Sequence, residues 1–205
     1  MVSNFLYKPL SYLNAQLMYR PALRTLQLHP EKKFDASWFH IYPCLTNCEL
    51  VVAKITSTRN PDAQKILKRE YTLLTYFNEH PMTPKIMNYY EGLPCSTLTI
   101  PLNFLRFGSF FRDSIDVLTR KFIKGIEFGE QEKISDFRQQ QQLIAMFKDA
   151  HKEGFAGIDT GNPRNYLQRG ENIYFIDFGA RSIKGDPNFN DLAKQDMCEL
   201  ETMFV

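Results

Sequence analysis

The sequence predicts a mixed α+β fold arranged as two lobes. Its first half is rich in strand-forming segments and holds one helix, Gly125 breaks the last of those strands, and the second half is mostly helical. A chain of 205 residues can bury one core or two small lobes that share a crevice. We therefore predict an N-terminal segment (1–30), a strand-rich lobe (31–124) and a smaller helical lobe (125–205).

The N-terminal segment is basic and carries no acid before Glu31. Pro9 and Pro21 limit any helix in it to one short stretch. Four leucines in this stretch recur at helical spacing, namely Leu6, Leu10, Leu13 and Leu17. Two interpretations fit this pattern: a helix packed on the strand-rich lobe, or a basic amphipathic segment that lies on an anionic membrane surface.

The strand-rich lobe begins with a predicted hairpin. Its strands are FDASWFHIY (34–42) and CELVVAKI (48–55), and a turn at 45–47 separates them. Asn60 and Pro61 then supply a cap and a first residue for a helix. The later predicted elements are a helix at 61–78, loops with short strands at 82–111, a strand at 116–123, a helix at 134–152, a strand at 172–176 and a helix at 188–204.

Composition excludes several classes of protein. The net charge of +2, without any run of Lys or Arg, argues against nucleic acid as a partner. There is no signal-peptide pattern, and every apolar run is shorter than the about 20 residues that span a bilayer, so we predict a cytoplasmic protein. The cysteines are too scattered for a zinc site, and we expect small buried hydrophobic side chains at Cys44, Cys48, Cys95 and Cys198.

A carboxylate lies on the apolar stripe of the first predicted helix. Glu70 falls in helical register with Ile66, Leu73 and Phe77. A buried carboxylate needs a cation, because an unpaired buried charge is costly. The nearest candidate is Lys54, at the end of the apolar strand, where it could hold the phosphates of a nucleotide. The alternative is that the two charges are unrelated surface residues.

Two acid-bearing loops follow in the second half. Asp177 emerges from a strand end before Phe178 and Gly179, a suitable place for a magnesium ligand. Asp159 and Asn165 lie in a loop that is too polar to be core. An aspartate there can accept the proton of an attacking hydroxyl while an asparagine carbonyl completes the metal shell. The alternative interpretation of this loop is an Asx-type turn.

The order of these residues resembles the protein-kinase-like superfamily over 34–179. The motifs that carry the resemblance are Lys54 in VVAK, Glu70 in the next helix, His151 eight residues before Asp159, Asn165 in PRNYL and Asp177 in IDFG. Within it the chain looks most like the small bacterial lipopolysaccharide core kinases, which act on heptose and Kdo sugars. That narrower resemblance rests on FIKGIEF, HKEGFAGIDTGNPRNYL, IDFGARS and AKQDMCELE.

The resemblance implies a two-lobed kinase fold with a truncated helical second lobe, and it implies ATP and Mg²⁺ as cofactors. By this resemblance, Lys54 contacts the ATP phosphates and Glu70 holds Lys54. Asp159 is the catalytic base, and Asn165 and Asp177 bind magnesium. A hinge at 121–125 lies beside the adenine and contains Lys121, Phe122 and Ile123.

The chain also departs from the kinase pattern. No glycine precedes Gly92, so the glycine-rich loop that covers the phosphates is missing. Asp159 and Asn165 are one residue further apart than in the usual loop, which leaves Asn162 as a rival metal ligand. Only 26 residues follow Gly179, and no APE motif is among them. We therefore expect a compact acceptor rather than a peptide.

The sequence thus predicts a magnesium-dependent phosphotransferase. The resemblance to lipopolysaccharide core kinases implies that it moves the γ-phosphate of ATP to a hydroxyl of a sugar or glycolipid, at the cytosolic face of the inner membrane. Two alternatives remain from the residues alone: a minimal atypical protein kinase, and a pseudokinase that binds a partner without turnover.

Overall fold

The computed structural model of the protein describes residues 19, 22–30, 39–46, 49–58, 60–94 and 114–205. Residue contacts divide the chain into two compact units. The first unit comprises Met1–Gln64 and Met87–Phe122, and the second comprises Lys65–Ile86 and Ile123–Val205. The lobe limits predicted above, together with the two-lobed arrangement, remain predictions.

The first unit is built on a five-stranded sheet with strand order β1-β2-β3-β5-β4. The pairs β1–β2, β2–β3 and β3–β5 are antiparallel. The strands are β1 (His29–Pro30), β2 (His40–Leu45), β3 (Leu50–Ser57), β4 (Ile86–Pro94) and β5 (Ser114–Lys121). The hairpin predicted from the sequence is therefore present as β2 and β3, while 34–38, Asn47 and Cys48 lie outside the described residues.

Strand β3 is central in this sheet, which explains its nearly continuous apolar sequence. It pairs with β2 on one side and β5 on the other, and its residues from Val51 to Thr56 are buried. Val51, Ala53 and Ile55 join the core on one face, because alternate side chains of a strand point to the same side. Lys54 therefore belongs to the opposite face.

The described part of the region at 82–111 is more regular than the loops and short strands that the sequence predicted. Its first part forms the nine-residue strand β4, and the rest, from residue 95 to residue 113, lies outside the described residues. The prediction underestimated the length of β4 because Gly92 and Pro94 are typical of turns. The Oγ1 atom of Thr119 on β5 donates to the carbonyl of Asn88 on β4, at 3.2 Å. Pairing across the sheet thus decides the structure of this segment.

The second unit combines helices with short antiparallel strands. Helix α1 (Pro61–Tyr76) starts with the last residues of the first unit and continues in the second. The other elements are β6 (Ile126–Glu127), α2 (Phe137–Lys152), β7 (Phe155–Ala156), β8 (Tyr166–Arg169), β9 (Asn172–Phe175), β10 (Ser182–Ile183) and α3 (Phe189–Thr202). The strands form the sheets β6-β8-β9 and β10-β7.

The three predicted helices are confirmed, with boundaries that differ by one to three residues. The Asn60 side chain accepts a bond from the Ala63 amide at 3.1 Å, as expected of a cap. Helix α2 begins at Phe137 instead of Ile134, because the Asp136 side chain caps it by accepting from the Gln139 amide at 2.9 Å. Ile134 instead forms an isolated bridge with Phe204.

Aromatic rings fill the core of the second unit. Phe175 packs edge to face on Phe147 and on Phe178, with centroid distances of 5.0 and 4.9 Å. Tyr166 meets Phe175 in the same geometry at 5.1 Å, and Phe77, the residue after α1, lies 6.1 Å from Phe178. This cluster links β8 and β9 with α2 and with the end of α1.

The burial of two of the four cysteines can be compared with the prediction. Cys44 is buried as predicted, but Cys198 is exposed on α3, so that part of the prediction was wrong. Cys95 and the leucine-rich segment before residue 19 lie outside the described residues. Within the part of the chain that is described, no helix has the length and apolar character needed to cross a bilayer.

The buried carboxylate of Asp116 joins three parts of the first unit. It accepts hydrogen bonds from Gln64 Nε2 at 2.8 Å, from the Tyr89 hydroxyl at 3.1 Å and from the Gly92 amide at 2.9 Å. Burial, and then the charge of Asp116, raises the pKa of Tyr89, so its phenol remains a neutral donor.

We predict that Asp116→Ala lowers the free energy of unfolding by about 3 kcal/mol, because it leaves three donors without their acceptor. Denaturant unfolding measures this change. Glu171→Ala, at an exposed turn, is the control and should change stability by less than about 0.5 kcal/mol. Equal stability of the two variants would show that Asp116 does not hold the unit together.

Candidate active site

The loop at 157–165, here called the Asp159 loop, is held by one buried acid of α3. Asp196 is 2% exposed, and its Oδ2 atom accepts from the Gly157 amide at 2.9 Å. The Nε2 atom of His151, near the end of α2, lies 3.0 Å from the same oxygen. The backbone carbonyl of Asp196 accepts from the Thr160 hydroxyl at 2.5 Å. Asp196 thus fixes the chain on both sides of Asp159, at Gly157 and at Thr160.

Gly157 and Tyr166 also support the Asp159 loop. Gly157 has φ of +74°, and a Cβ there would lie 3.0 Å from the Cβ of Arg181, so glycine suits the position. The buried Tyr166 hydroxyl donates to the Thr160 carbonyl at 2.6 Å. Burial, and then the charges of Asp159 and Glu199, raises the pKa of Tyr166. The phenol therefore stays protonated and continues to donate.

Two asparagine side chains hold the Asp159 carboxylate. The Nδ2 atoms of Asn162 and Asn165 donate to Asp159 Oδ2 at 3.0 and 3.4 Å. Asn165 Nδ2 also donates to the Asp159 carbonyl at 2.7 Å. Asn162 Oδ1 accepts from the Arg164 amide at 3.1 Å and so caps the short 3-10 helix Pro163–Asn165. Among the described residues none donates to Asp159 Oδ1, which leaves that oxygen to an incoming group.

Asp177 lies in a turn at 176–179, here called the Asp177 turn, which starts beside the Asp159 loop. The Ile176 amide donates to the Asn165 carbonyl at 2.9 Å, so Asp177 follows a residue bonded to that loop. Asp177 Oδ1 accepts from the Gly179 amide at 3.3 Å, while Phe178 is fully buried among the aromatic rings. The carboxylate is therefore half-buried while the neighbouring ring anchors the turn.

Glu70 approaches the Asp177 turn from α1. It is fully buried, as its register with Leu73 and Phe77 predicted. A Cβ at Gly179 would lie 2.9 Å from Ile66 Cγ2 and 3.9 Å from Glu70 Oε2, so α1 and the turn are in close contact. Arg69, the preceding residue, donates to the Arg181 carbonyl at 2.6 Å. Helix α1 thus holds the segment that follows Asp177.

Lys54 is placed in the first unit. It is 2% exposed, and its Nζ atom lies 4.4 Å from the centroid of the Phe39 ring. The predicted pairing with Glu70 joins residues of the two units and remains a prediction.

The predicted adenine segment begins where β5 ends. Lys121 is exposed and lies 3.9 Å from Glu49, and the Phe122 amide donates to the Leu50 carbonyl at 3.2 Å. Ile123, the first residue of the second unit in this segment, is half-buried. The role of these three residues in binding the adenine remains a prediction.

The described ranges hold no group of three or more His, Cys, Asp or Glu side chains that could bind a metal ion. The residues predicted to bind magnesium, Asn165 and Asp177, supply an amide oxygen and a carboxylate. These are hard oxygen donors, and magnesium commonly takes one or two of them together with water and phosphate oxygens. The residues present therefore fit magnesium on a bound nucleotide better than a cage made of protein ligands alone.

The sequence analysis missed Asp196 and gave Asn162 only one role, that of a rival metal ligand. The signal for Asp196 was present, because it lies in helical register with Leu192 and Leu200. An acid on an apolar stripe was the same signal that identified Glu70. The contact between Asn162 and Asp159 has no such signal, since it depends on the path of the loop.

No family model and no curated protein matches this chain. Among solved structures it is similar to the kinase PK-1 of Cydia pomonella granulovirus, with a TM-score of 0.50 and 16% sequence identity. The match covers 78% of this chain and 56% of that kinase, so the chain spans just over half of its length. At this identity the likeness concerns the fold alone: the mixed α and β structure with antiparallel sheets is protein-kinase-like.

Proposed function

We propose that this protein is a phosphotransferase that moves the γ-phosphate of ATP to a hydroxyl group, with magnesium as cofactor. The observation that carries the proposal is the state of the Asp159 carboxylate. Two asparagine amides hold Oδ2, while Oδ1 accepts no hydrogen bond from the described residues. A carboxylate that is fixed at one oxygen and open at the other suits the binding of an acceptor hydroxyl.

Asp159 would orient that hydroxyl and take its proton as the new oxygen–phosphorus bond forms and the bond between the γ-phosphorus and the departing ADP breaks. Phosphoryl transfer needs little covalent help from a protein, so positioning and charge neutralisation supply most of the acceleration. The hydrogen bonds of the Asp159 loop to Asp196 and Tyr166 provide the rigid support that positioning requires.

Asn165 and Asp177 would hold the magnesium ion, which when bound neutralises charge on the phosphate oxygens. The geometry favours Asn165 over Asn162 as the ligand. Asn162 uses its side-chain oxygen to cap the Arg164 amide, whereas Asn165 donates its side-chain nitrogen to Asp159, and its side-chain oxygen accepts no hydrogen bond from the described residues. Lys54 would contact the ATP phosphates with Glu70 as its partner, and Lys121, Phe122 and Ile123 would contact the adenine.

For the acceptor we propose a sugar or glycolipid, as in lipopolysaccharide core kinases, reached at the cytosolic face of the inner membrane. The motifs IDTGNPRNYL and IDFGARS support this choice through their resemblance to that group. A protein acceptor, or binding without turnover, is an alternative that the experiment below separates from it.

We predict that the wild-type protein transfers label from γ-labelled Mg-ATP into the glycolipid fraction of a Gram-negative membrane extract. Asp159→Asn should reduce this transfer by about 100-fold or more, because the amide cannot accept the proton. Asp149→Asn, the same change on a surface ion pair of α2, is the control and should retain activity.

Label confined to the protein fraction would reject the sugar acceptor and retain the phosphotransferase. Label that is equal in wild type and Asp159→Asn would remove Asp159 from the mechanism. The absence of label from every fraction would reject the proposed activity.

We further predict that Lys54→Met raises the dissociation constant for Mg-ATP by about 10- to 100-fold, because charge-assisted bonds to the phosphates are lost. Isothermal titration calorimetry measures this constant without any acceptor. Lys85→Met, which removes a lysine whose side chain is 62% exposed, is the control and should bind as the wild type does. An unchanged constant in Lys54→Met would exclude Lys54 from the nucleotide site.

A further inference from the structure

We propose that Asn162 is a positioning residue for Asp159, and that its amide fixes the orientation in which the carboxylate meets the acceptor. This inference rests on the proposed function, because it gives a role to a neighbour of the proposed base. It differs from the metal-ligand role that spacing in the sequence left open for Asn162.

Both ends of the Asn162 side chain are used inside the Asp159 loop. Its Nδ2 donates to Asp159 Oδ2 at 3.0 Å, and its Oδ1 accepts from the Arg164 amide at 3.1 Å. The backbone of Asn162 is extended, with φ of −84° and ψ of 111°, as is usual for a residue that precedes a helical turn. The 3-10 helix thus fixes the side-chain amide of Asn162, and that amide in turn fixes the carboxylate of Asp159.

The second asparagine does not make this contact redundant. Asn165 Nδ2 lies 3.4 Å from Asp159 Oδ2 but only 2.7 Å from the Asp159 carbonyl, so its main bond is to the backbone. A distance of 3.4 Å is long for an N–H···O hydrogen bond, and 3.0 Å is typical. Asn162 therefore makes the principal side-chain bond to the carboxylate among the described residues.

This bond decides where Asp159 Oδ1 lies. With Oδ2 held, rotation of the carboxylate about its last side-chain torsion is restricted, and that torsion is otherwise broad. Reacting groups that are displaced by about 1 Å can lose about 100-fold in rate. Loss of the amide should therefore slow transfer without changing how ATP is bound.

The capping role and the positioning role of Asn162 can be separated, because capping uses its side-chain oxygen and positioning uses its side-chain nitrogen. Aspartate at position 162 keeps the shape and the capping oxygen but cannot donate to Asp159. Serine at this position also keeps a capping oxygen, adds no charge, and has a side chain that is too short to serve both partners. A residue that acts only as a cap would tolerate both changes.

The test is steady-state kinetics of Asn162→Asp and Asn162→Ser with Mg-ATP and the membrane-extract acceptor. We expect kcat to fall by about 10- to 100-fold in both variants, with KM for ATP within about 2-fold of wild type and an unchanged melting temperature. Asn172→Asp, at an exposed position on β9, is the matched control and should keep the wild-type kcat. A wild-type kcat in Asn162→Asp overturns the inference, as does a rise in KM for ATP at constant kcat.

A second measurement tests the contact between Asn162 and Asp159 without requiring enzyme activity. In ¹⁵N-labelled protein, the side-chain amide signal of Asn162 is identified by its loss in Asn162→Ser. We expect its proton to move to lower frequency in Asp159→Ala, because a hydrogen bond to a carboxylate is lost, and to stay in place in Asp149→Ala. If wild type transfers no phosphate, the proposed function fails while this shift still tests the contact. A signal that Asp159→Ala leaves unmoved overturns the inference even in an active enzyme.

Discussion

The buried carboxylate of Asp196 is the constraint on which the Asp159 loop depends. A carboxylate that is 2% exposed must receive hydrogen bonds, because an unpaired buried charge would destabilise the fold by several kcal/mol. It receives one from Gly157 and lies beside His151, while its own carbonyl binds Thr160. The need to satisfy Asp196 therefore sets the path of the loop.

The Asp177 turn is held by a different force. Phe178 is buried among the aromatic rings of Phe77, which follows α1, and of α2 and β9, so the hydrophobic effect holds the turn from one side while Asp177 stays half-buried. The Ile176 amide then ties this turn to the Asn165 carbonyl. A polar anchor and an apolar anchor thus bring two acids into neighbouring loops, as the proposed chemistry requires.

Periodicity predicted the elements that bury one face. Helix α1, with Glu70 on its apolar stripe, and α2 were expected from their apolar spacing, and the β2–β3 hairpin was expected from strand-forming residues on both sides of a turn. The length of strand β4 was underestimated because its turn-forming residues disfavour a strand, and pairing with β5 overrides them. Cys198 was expected to be buried on composition alone, whereas its position on α3 exposes it.

The sequence by itself determined which residues are candidates for the proposed chemistry: the acids Asp159 and Asp177, the amide of Asn165 and the buried Glu70 all follow from residue type, spacing and helical register. The tertiary structure decided how these groups are held. It made Asn162 a donor to Asp159, and it made Asp196 the support of the loop. The physical reason is that a hydrogen bond depends on distance and direction, which spacing along the chain specifies only inside a helix or a strand.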